Sequence, residues 1–460
     1  MLTAGCRHTD ERASATPTPT SSPAGQPDGA ATADWRHVSQ ILARVRPPSF
    51  PRRDFPITAH GATGDGVSDS SAAIARAITA CAQAGGGRVV VPPGQYLTGP
   101  IHLRSGVNLH LQRGATLRFK TDPQAYLPAV FTRFEGMECW NYSPLVYAHG
   151  QENIAITGEG VLDGQAGDEN WWAWKGCQGG TQNQNAARAR LVQQVAEQVP
   201  PDQRRFGAGD YLRPNFIQFY RCRNVLVEGV RLRRSPMWEI HPVLCTNVVV
   251  RGVDILSHGP NNDGCNPESS RDVLIEGCLF DTGDDCIAIK SGRNDDGRRL
   301  AAPAQDIVIR RCTMRDGHGG VTIGSEISGG CRRVFVEDCQ MDSPNLERVL
   351  RFKSNAVRGG LVEDIFARRL RVGQVRDAVL QIDFRYEEGA NGRHRPVVRH
   401  VVAEGLTVAS APRVLDVRGL PNAEISGVRL SRCVFQGVTR PDVVEHAAVE
   451  MVDCLVEKRP

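Results

Sequence analysis

The chain has 460 residues, 40% hydrophobic and 23% charged, with 55 basic against 51 acidic side chains and a mean hydropathy of −0.31. That composition excludes a disordered chain, and no apolar run approaches the ~20 residues of a membrane-spanning helix. A net charge of +4 gives no ground for nucleic-acid binding, but it suits an acidic substrate where cations cluster.

In chain order, Thr3-Ala4-Gly5-Cys6 resembles a bacterial lipoprotein cleavage box behind an unusually short leader. Residues 7–33 are rich in Thr, Ser, Pro, Ala and Gly, which cannot bury a core. Residues 1–33 are therefore expected to be a truncated lipoprotein-type signal and a disordered tether. A lipid anchor at Cys6 would place the protein in the periplasm or on the outer surface of a bacterium. A single folded body is expected over 50–456, as a monomer. Ile74, Ile78 and Cys81 form an apolar stripe at helical spacing. Ser68 or Asp69 is placed to cap that helix, and Gly85-Gly86-Gly87 to end it. Arg88–Val91 then reads as a strand, and short strands separated by Gly, Asn, Pro and Ser follow.

The remainder repeats itself. NVLVEGVRL (224–232), NVVVRGVDI (247–255), DVLIEGCLF (272–280), DIVIRRCTM (306–314) and RVFVEDCQM (333–341) start 23, 25, 34 and 27 residues apart. Self-similarity at this period marks a solenoid, and apolar/polar alternation makes its unit a strand. The fold expected is all-β, a right-handed parallel β-helix with an N-terminal capping helix over 70–84. Cys278, Cys312 and Cys339 share one repeat position, which favours reduced thiols stacked in the core over bridges. The 14 cysteines are too dilute for a disulfide scaffold, and none has zinc-ligand spacing. Residues 165–213 interrupt the repeat with Trp171, Trp172, Trp174 and a helical stretch near 186–198. They read equally as a lid over an apolar side and as a substrate wall.

Four polar clusters fall on successive rungs: Asn261-Asn262-Asp263, Gly283-Asp284-Asp285, Gly317-His318-Gly319 and Arg351-Phe352-Lys353. Equivalent positions on neighbouring rungs stack about 4.8 Å apart, so these four can form one patch. Singly each has a plainer reading, since Asp and Asn bond their own turns. Adjacent Asp residues leading into a strand are harder to explain that way.

Together the four clusters resemble the signature of glycoside hydrolase family 28, the polygalacturonases and related pectin hydrolases. The opening GATGDGVSDSSAAI…AGGGRVVVPPGQYLTGP (61–100) is similar to the family's N-terminal region. The resemblance spans about 55–440. Thr is common in the family at the position of Asn262, and Ile at that of Phe352. It implies hydrolysis of α-1,4-galacturonide links with inversion, on a pectic polysaccharide or oligogalacturonide, with no metal and no cofactor. It also implies Asp284 as general acid, Asp263 and Asp285 as the acids that hold and deprotonate water, and His318 as support for the acid. Arg351 and Lys353 would bind the sugar carboxylate. Asn261 and Tyr386 are further substrate-binding candidates, and Arg293, Arg298 and Arg299 weaker ones. Crowding of three carboxylates is expected to keep Asp284 protonated. The insertion and the long rung at 272–306 favour a groove closed at one end, hence exo attack. Alternatives are a rhamnogalacturonan or other pectic-backbone hydrolase, a pectic lyase, and a non-catalytic carbohydrate-binding solenoid.

Overall fold

A computed structural model describes residues 34–176 and 181–459. The expectations for Cys6 and the tether lie outside these residues.

Each rung is built from one corner rule. In the first long parallel sheet, strands such as Arg223–Glu228, Thr246–Arg251, Arg271–Glu276 and Ala304–Arg310 stack in register. Their second or third residues, Asn224, Asn247, Asp272 and Asp306, have φ of +55 to +59°, a left-handed corner that Asn and Asp tolerate best. Asn247 donates to Asn224, and Asn224 to Asn153, in a short side-chain ladder at 2.8 and 2.9 Å. After a second corner the chain enters a second sheet, through Arg231–Arg233, Asp254–Ser257 and Leu279–Thr282. The two sheets have thirteen strands each. A third sheet completes the rung in two blocks, one ending at Ile240–Val243 and the other starting at Ile287–Ile289. Between these blocks residues 263–268 contribute only isolated bridges, at Cys265 and Glu268. The chain is thus a right-handed parallel β-helix whose third sheet loses its regular strand where Asp263 sits.

The repeated cysteine position behaves as expected. Register carries Val253, Cys278, Cys312, Cys339 and Leu370 into one buried column. All cysteines of the described residues are free thiols.

Among the described residues four α-helices decorate the solenoid. Helix α1 (Arg36–Arg44) precedes the expected 50–456 body, and packs Val38 and Ile41 on a row formed by Ala155, Leu226, Val249, Leu274, Val308, Phe335, Phe366 and Val402. This corrects the strict alternation read from the repeats. The cores of the repeats are VLV, VVV, VLI, IVI and VFV, apolar on both faces because α1 covers the outer one. Helix α2 (Ser71–Gln83) buries Ile74, Ile78 and Cys81 in the first rung's core, as the stripe predicts. Its N-cap residue is Ser70, with Asp69 Oδ1 accepting from the Ser71 N–H at 2.9 Å.

Helix α3 (Asn185–Ala196) lies in the insertion and packs Leu191 and Val195 with Phe134, Met137 and Trp238. Trp171 and Trp174 are buried edge-on against Tyr126 and Tyr211 respectively, and against each other. Helix α4 (Asn294–Leu300) fills the long rung, which the sequence left without an element.

Candidate active site

The irregular stretch of the third sheet becomes a cavity of ≈ 330 Å³. Asn261, Asp263, Asp284, His318, Arg351, Lys353 and Tyr386 all line it, so the structure brings seven of the eight expected site residues to one surface. Asp285, the eighth, lies directly behind them and is fully buried. One oxygen from each of Asp263, Asp284 and Asp285 lies within 4.8 Å of the others.

The motif glycines make room for this. A Cβ on Gly319 would meet the Thr322 hydroxyl at 2.4 Å and Asp285 at 3.0 Å, and one on Gly283 would meet the Gly259 carbonyl at 2.5 Å. Of the two asparagines, Asn262 is the turn residue. Its amide donates to the Ser235 and Met237 carbonyls, and its oxygen accepts from Ser257 and the Gly259 N–H. Asn261 faces the cavity. Arg213 holds its oxygen at 2.7 Å, and its amide reaches Asp284 at 3.4 Å.

The three acids sit in different fields. Asp285 Oδ1 accepts from Thr322 at 2.8 Å and Arg351 at 3.2 Å, and Oδ2 accepts from Lys353 at 2.8 Å. Burial pushes its carboxyl up, but the charges of Lys353 and Arg351 outweigh it and hold the group far below the usual range. Burial pushes Asp284 up as well, but a 3.0 Å bond with His318 Nδ1, joined by the His318 and Lys353 charges, leaves it lowered. The same bond raises His318. Asp263 accepts from Asn266 at 2.8 Å, with Lys290 Nζ 3.6 Å away. Burial and the neighbouring Asp284 charge push it up to about 8. Of the three acids, Asp263 is the one whose surroundings favour the protonated form. This corrects the expectation that crowding alone would protonate Asp284, which did not allow for the directness of the His318 contact.

Arg293, Arg298 and Arg299 do not stand free to meet a ligand. Arg293 is buried and pairs with Glu135 at 2.9 Å, Arg298 pairs with Asp295 at 2.9 Å, and Arg299 with Glu138. Tyr386 lies over cations: its ring centroid is 5.2 Å from Lys353 Nζ and 6.0 Å from the Arg351 guanidinium. The insertion is both lid and wall, because Lys175 and Arg188 line the cavity while the Trp residues pack behind them.

Sequence reasoning missed Lys290, Glu326, Glu135, Arg188 and Lys175. Lys290 bonds Glu326 at 3.0 Å and lies 4.5 Å over the Trp238 ring. The one available signal was register: Lys290 directly follows the strand Ile287–Ile289 that Asp285 leads into.

The sequence profile of glycosyl hydrolases family 28 matches residues 208–439. A solved structure described as a hyperthermoactive exopolygalacturonase from Thermotoga maritima shares 44% identity and a TM-score of 0.89, covering 92% of this chain and 96% of that one. The chain belongs to glycosyl hydrolases family 28. It is a glycosidase. A profile described as rhamnogalacturonase A/epimerase, pectate lyase-like, matches residues 55–112 of this family 28 chain. A Vitis vinifera protein described as a probable polygalacturonase is 29% identical over 394 residues, 81% of this chain and 72% of the relative. An exo-poly-alpha-D-galacturonosidase of Dickeya chrysanthemi is 28% identical over 322 residues, 66% of this chain and 52% of the relative.

Proposed function

We propose that the protein hydrolyses α-1,4-galacturonide links at the ends of pectic chains, with Asp284 as general acid and Asp285 and Asp263 as the acids that hold and deprotonate water. The observation that carries this reading is the cavity itself. Two acids and a cationic pair open onto one space, Asp285 lies directly behind them, and the insertion walls one side. The 44% identical exopolygalacturonase supports both substrate and mode.

In this reading the sugar carboxylate binds Arg351 and Lys353, Arg with its planar fork. That contact draws both cations away from Asp285, which becomes more basic. The added negative charge and the expulsion of water raise Asp284, which takes the shared proton from its neighbours. Asp284 gives that proton to the glycosidic oxygen as the bond from the anomeric carbon breaks. A water forms the new bond to that carbon, and its proton goes to the ionised acid. Asn261 and His318 hold the Asp284 oxygens in place. The acids' nearest oxygens are closer than the ~6.5–9.5 Å that usually separates the carboxyl groups of an inverting pair. Retention would need a carboxylate nucleophile, however. Asp285 and Asp263 are both assigned to the water, which leaves no acid as that nucleophile, so inversion is the outcome we assign.

Product profiling tests the function. Polygalacturonate should give galacturonate or a short unit from the first minutes, while rhamnogalacturonan should not be cut. A ladder of intermediate oligomers would refute exo attack, and a product absorbing in the ultraviolet would indicate a lyase. Proton NMR of the first product should show the β anomer, and an α anomer would refute inversion.

A further inference from the structure

The contacts of Asp284 leave one of its oxygens for a proton. Oδ1 accepts from the Asp285 N–H at 2.9 Å and bonds His318 Nδ1 at 3.0 Å. Oδ2 faces the Asn261 amide nitrogen at 3.4 Å. A proton on Asp284 therefore belongs on Oδ2, and the end of the Asn261 amide that faces Oδ2 decides what that proton can do. An NH2 group donates, and leaves the O–H of the acid to point into the cavity. A carbonyl oxygen in the same place would accept that O–H and hold it.

An asparagine amide has two ends of nearly the same shape, so its other neighbours set its orientation. Here that neighbour is Arg213. Its Nη2 donates to Asn261 Oδ1 at 2.7 Å, and its Nη1 donates at 2.6 Å to the Pro260 carbonyl, in the peptide immediately before Asn261. Nη1 also donates to the Pro236 carbonyl at 3.0 Å, on the neighbouring rung, and Nε donates to Gln184 Oε1 at 3.1 Å. A guanidinium carries donors only, so the Asn261 oxygen must face it and the NH2 group must face Asp284.

The support behind Arg213 is rigid. Arg213 and Gln184 are each 1% exposed, and Gln184 is the N-cap residue of α3. The Gln184 N–H is itself fixed on the Trp174 carbonyl at 2.8 Å. Arg213 thus closes the end of the insertion onto the turn that carries Asn261, whose backbone is left-handed at φ +57°.

We propose that Arg213 is a positioning residue for the reaction: it orients the Asn261 amide so that a donor faces Asp284, and so keeps the proton of the acid free for the glycosidic oxygen. The inference rests on the reading of Asp284 as general acid given above.

The test is a double-mutant cycle of wild type, Arg213→Met, Asn261→Ala and the double variant, with Arg213→Lys beside them. Release of reducing ends from polygalacturonate is followed against pH. In Arg213→Met the amide is free to turn once Asp284 is protonated, and its oxygen traps the proton. One hydrogen bond to the acid predicts a fall in kcat of roughly 10- to 100-fold, with KM changed less. The trapped form is the protonated one, so the limb that reports ionisation of the acid should move to higher pH. With Asn261→Ala in place there is no amide to turn, so adding Arg213→Met should cost under ~threefold in kcat and leave the limb where it is. Arg213→Lys keeps the charge without the planar fork, and its penalty should lie between the two. Should Arg213→Met be too unstable to assay, Arg213→Lys carries the same cycle with the same signs. Carboxyl carbon-13 shifts of the free protein, with Asp284→Asn as the assignment control, should show Asp284 raised in Arg213→Met and unmoved by that substitution in the Asn261→Ala background. Equal penalties and equal shifts in both backgrounds would show a scaffold or plain charge effect and overturn the inference. So would an unmoved limb in a folded Arg213→Met protein. Both refuting results are read against a wild type that cleaves polygalacturonate, so they leave the glycosidase reading standing.

Discussion

Glu239 immediately precedes the strand Ile240–Val243, and its backbone N–H donates to the Asp263 carbonyl at 2.9 Å. The side chain is fully buried, and neither carboxyl oxygen has a hydrogen-bond partner. Among the described residues it has no ion pair. Burial pushes it up to about 8 from 4.5, with the Arg233 charge opposing and the Asp263 charge reinforcing the rise. The folded protein therefore holds a proton that the unfolded chain releases near pH 4.5. The stability this gives is complete below pH 4.5 and is lost as pH rises to about 8. At ~1.36 kcal/mol per unit the loss reaches ~5 kcal/mol.

Glu239→Gln replaces the protonated acid with a neutral amide of the same shape, and removes that dependence. A folded body of roughly 430 residues has an unfolding entropy near ~0.9 kcal/mol/K, so ~5 kcal/mol moves the thermal midpoint by ~5 °C. The assay is the midpoint of both proteins at pH 4.5, 6 and 8.5. Wild type and variant should nearly coincide at pH 4.5, with the variant higher by up to ~5 °C at pH 8.5. Asp263 titrates in the same direction in both proteins, so the difference isolates Glu239. Parallel midpoints across the range would refute the reasoning, since Glu239 would then be ionised and partnered in the fold.

Asp284→Asn should lower kcat by at least ~10²–10⁴ while leaving binding of a galacturonate oligomer within a few-fold by calorimetry. Lys353→Met removes one partner of a buried pair. It should cost ~3–5 kcal/mol in denaturant unfolding and shift the acidic limb of kcat/KM to higher pH, because Asp285 loses the cation that holds it low. His318→Ala should raise the Asp284 carboxyl, whose lowering comes from the His318 bond. The limb that reports ionisation of the acid then moves to higher pH, and an unmoved profile would show that His318 does not act on Asp284.

The sequence carried the solenoid because its corner residues repeat: Asn224, Asn247, Asp272 and Asp306 mark the same left-handed turn on each rung. It carried the acids because Asp263 and the Asp284–Asp285 pair recur on successive rungs, and because two adjacent acids leading into a strand have no plain turn explanation. Helix α1 was invisible for a converse reason. Its partner surface is one residue from each of eight rungs, Ala155 to Val402, and no local window contains it. The missed cations and acids share that cause. Arg188 meets Glu135, and Lys290 meets Glu326, across 53 and 36 residues of sequence. Local pattern reading sees side chains that belong to their own rung, and ion pairs between an insertion and a rung fall outside it. The order of protonation has a related cause: it depends on which cation each acid touches, and spacing alone does not supply that.

Those distant pairs bear on the chemistry through Asp263. Lys290 lies between two acids, 3.0 Å from Glu326 and 3.6 Å from Asp263, and Glu326 has the stronger hold. Glu326 is held well below the ordinary range, with burial opposing and Lys290 and Arg293 prevailing. While Glu326 occupies Lys290, Asp263 feels only part of that charge and keeps its proton to about pH 8. Glu326→Gln frees Lys290 to pair with Asp263, whose carboxyl should then fall by a unit or more. The site would lose its stored proton earlier, so the alkaline limb of kcat/KM should move to lower pH. The variant should also unfold more easily, since Lys290 and Arg293 lose a buried counter-charge. The two effects separate by experiment, because a purely structural loss lowers the midpoint without moving the limb. An unmoved alkaline limb in a folded Glu326→Gln protein would show that Asp263 is not the proton store, and would leave the shared proton to be sought on Asp284.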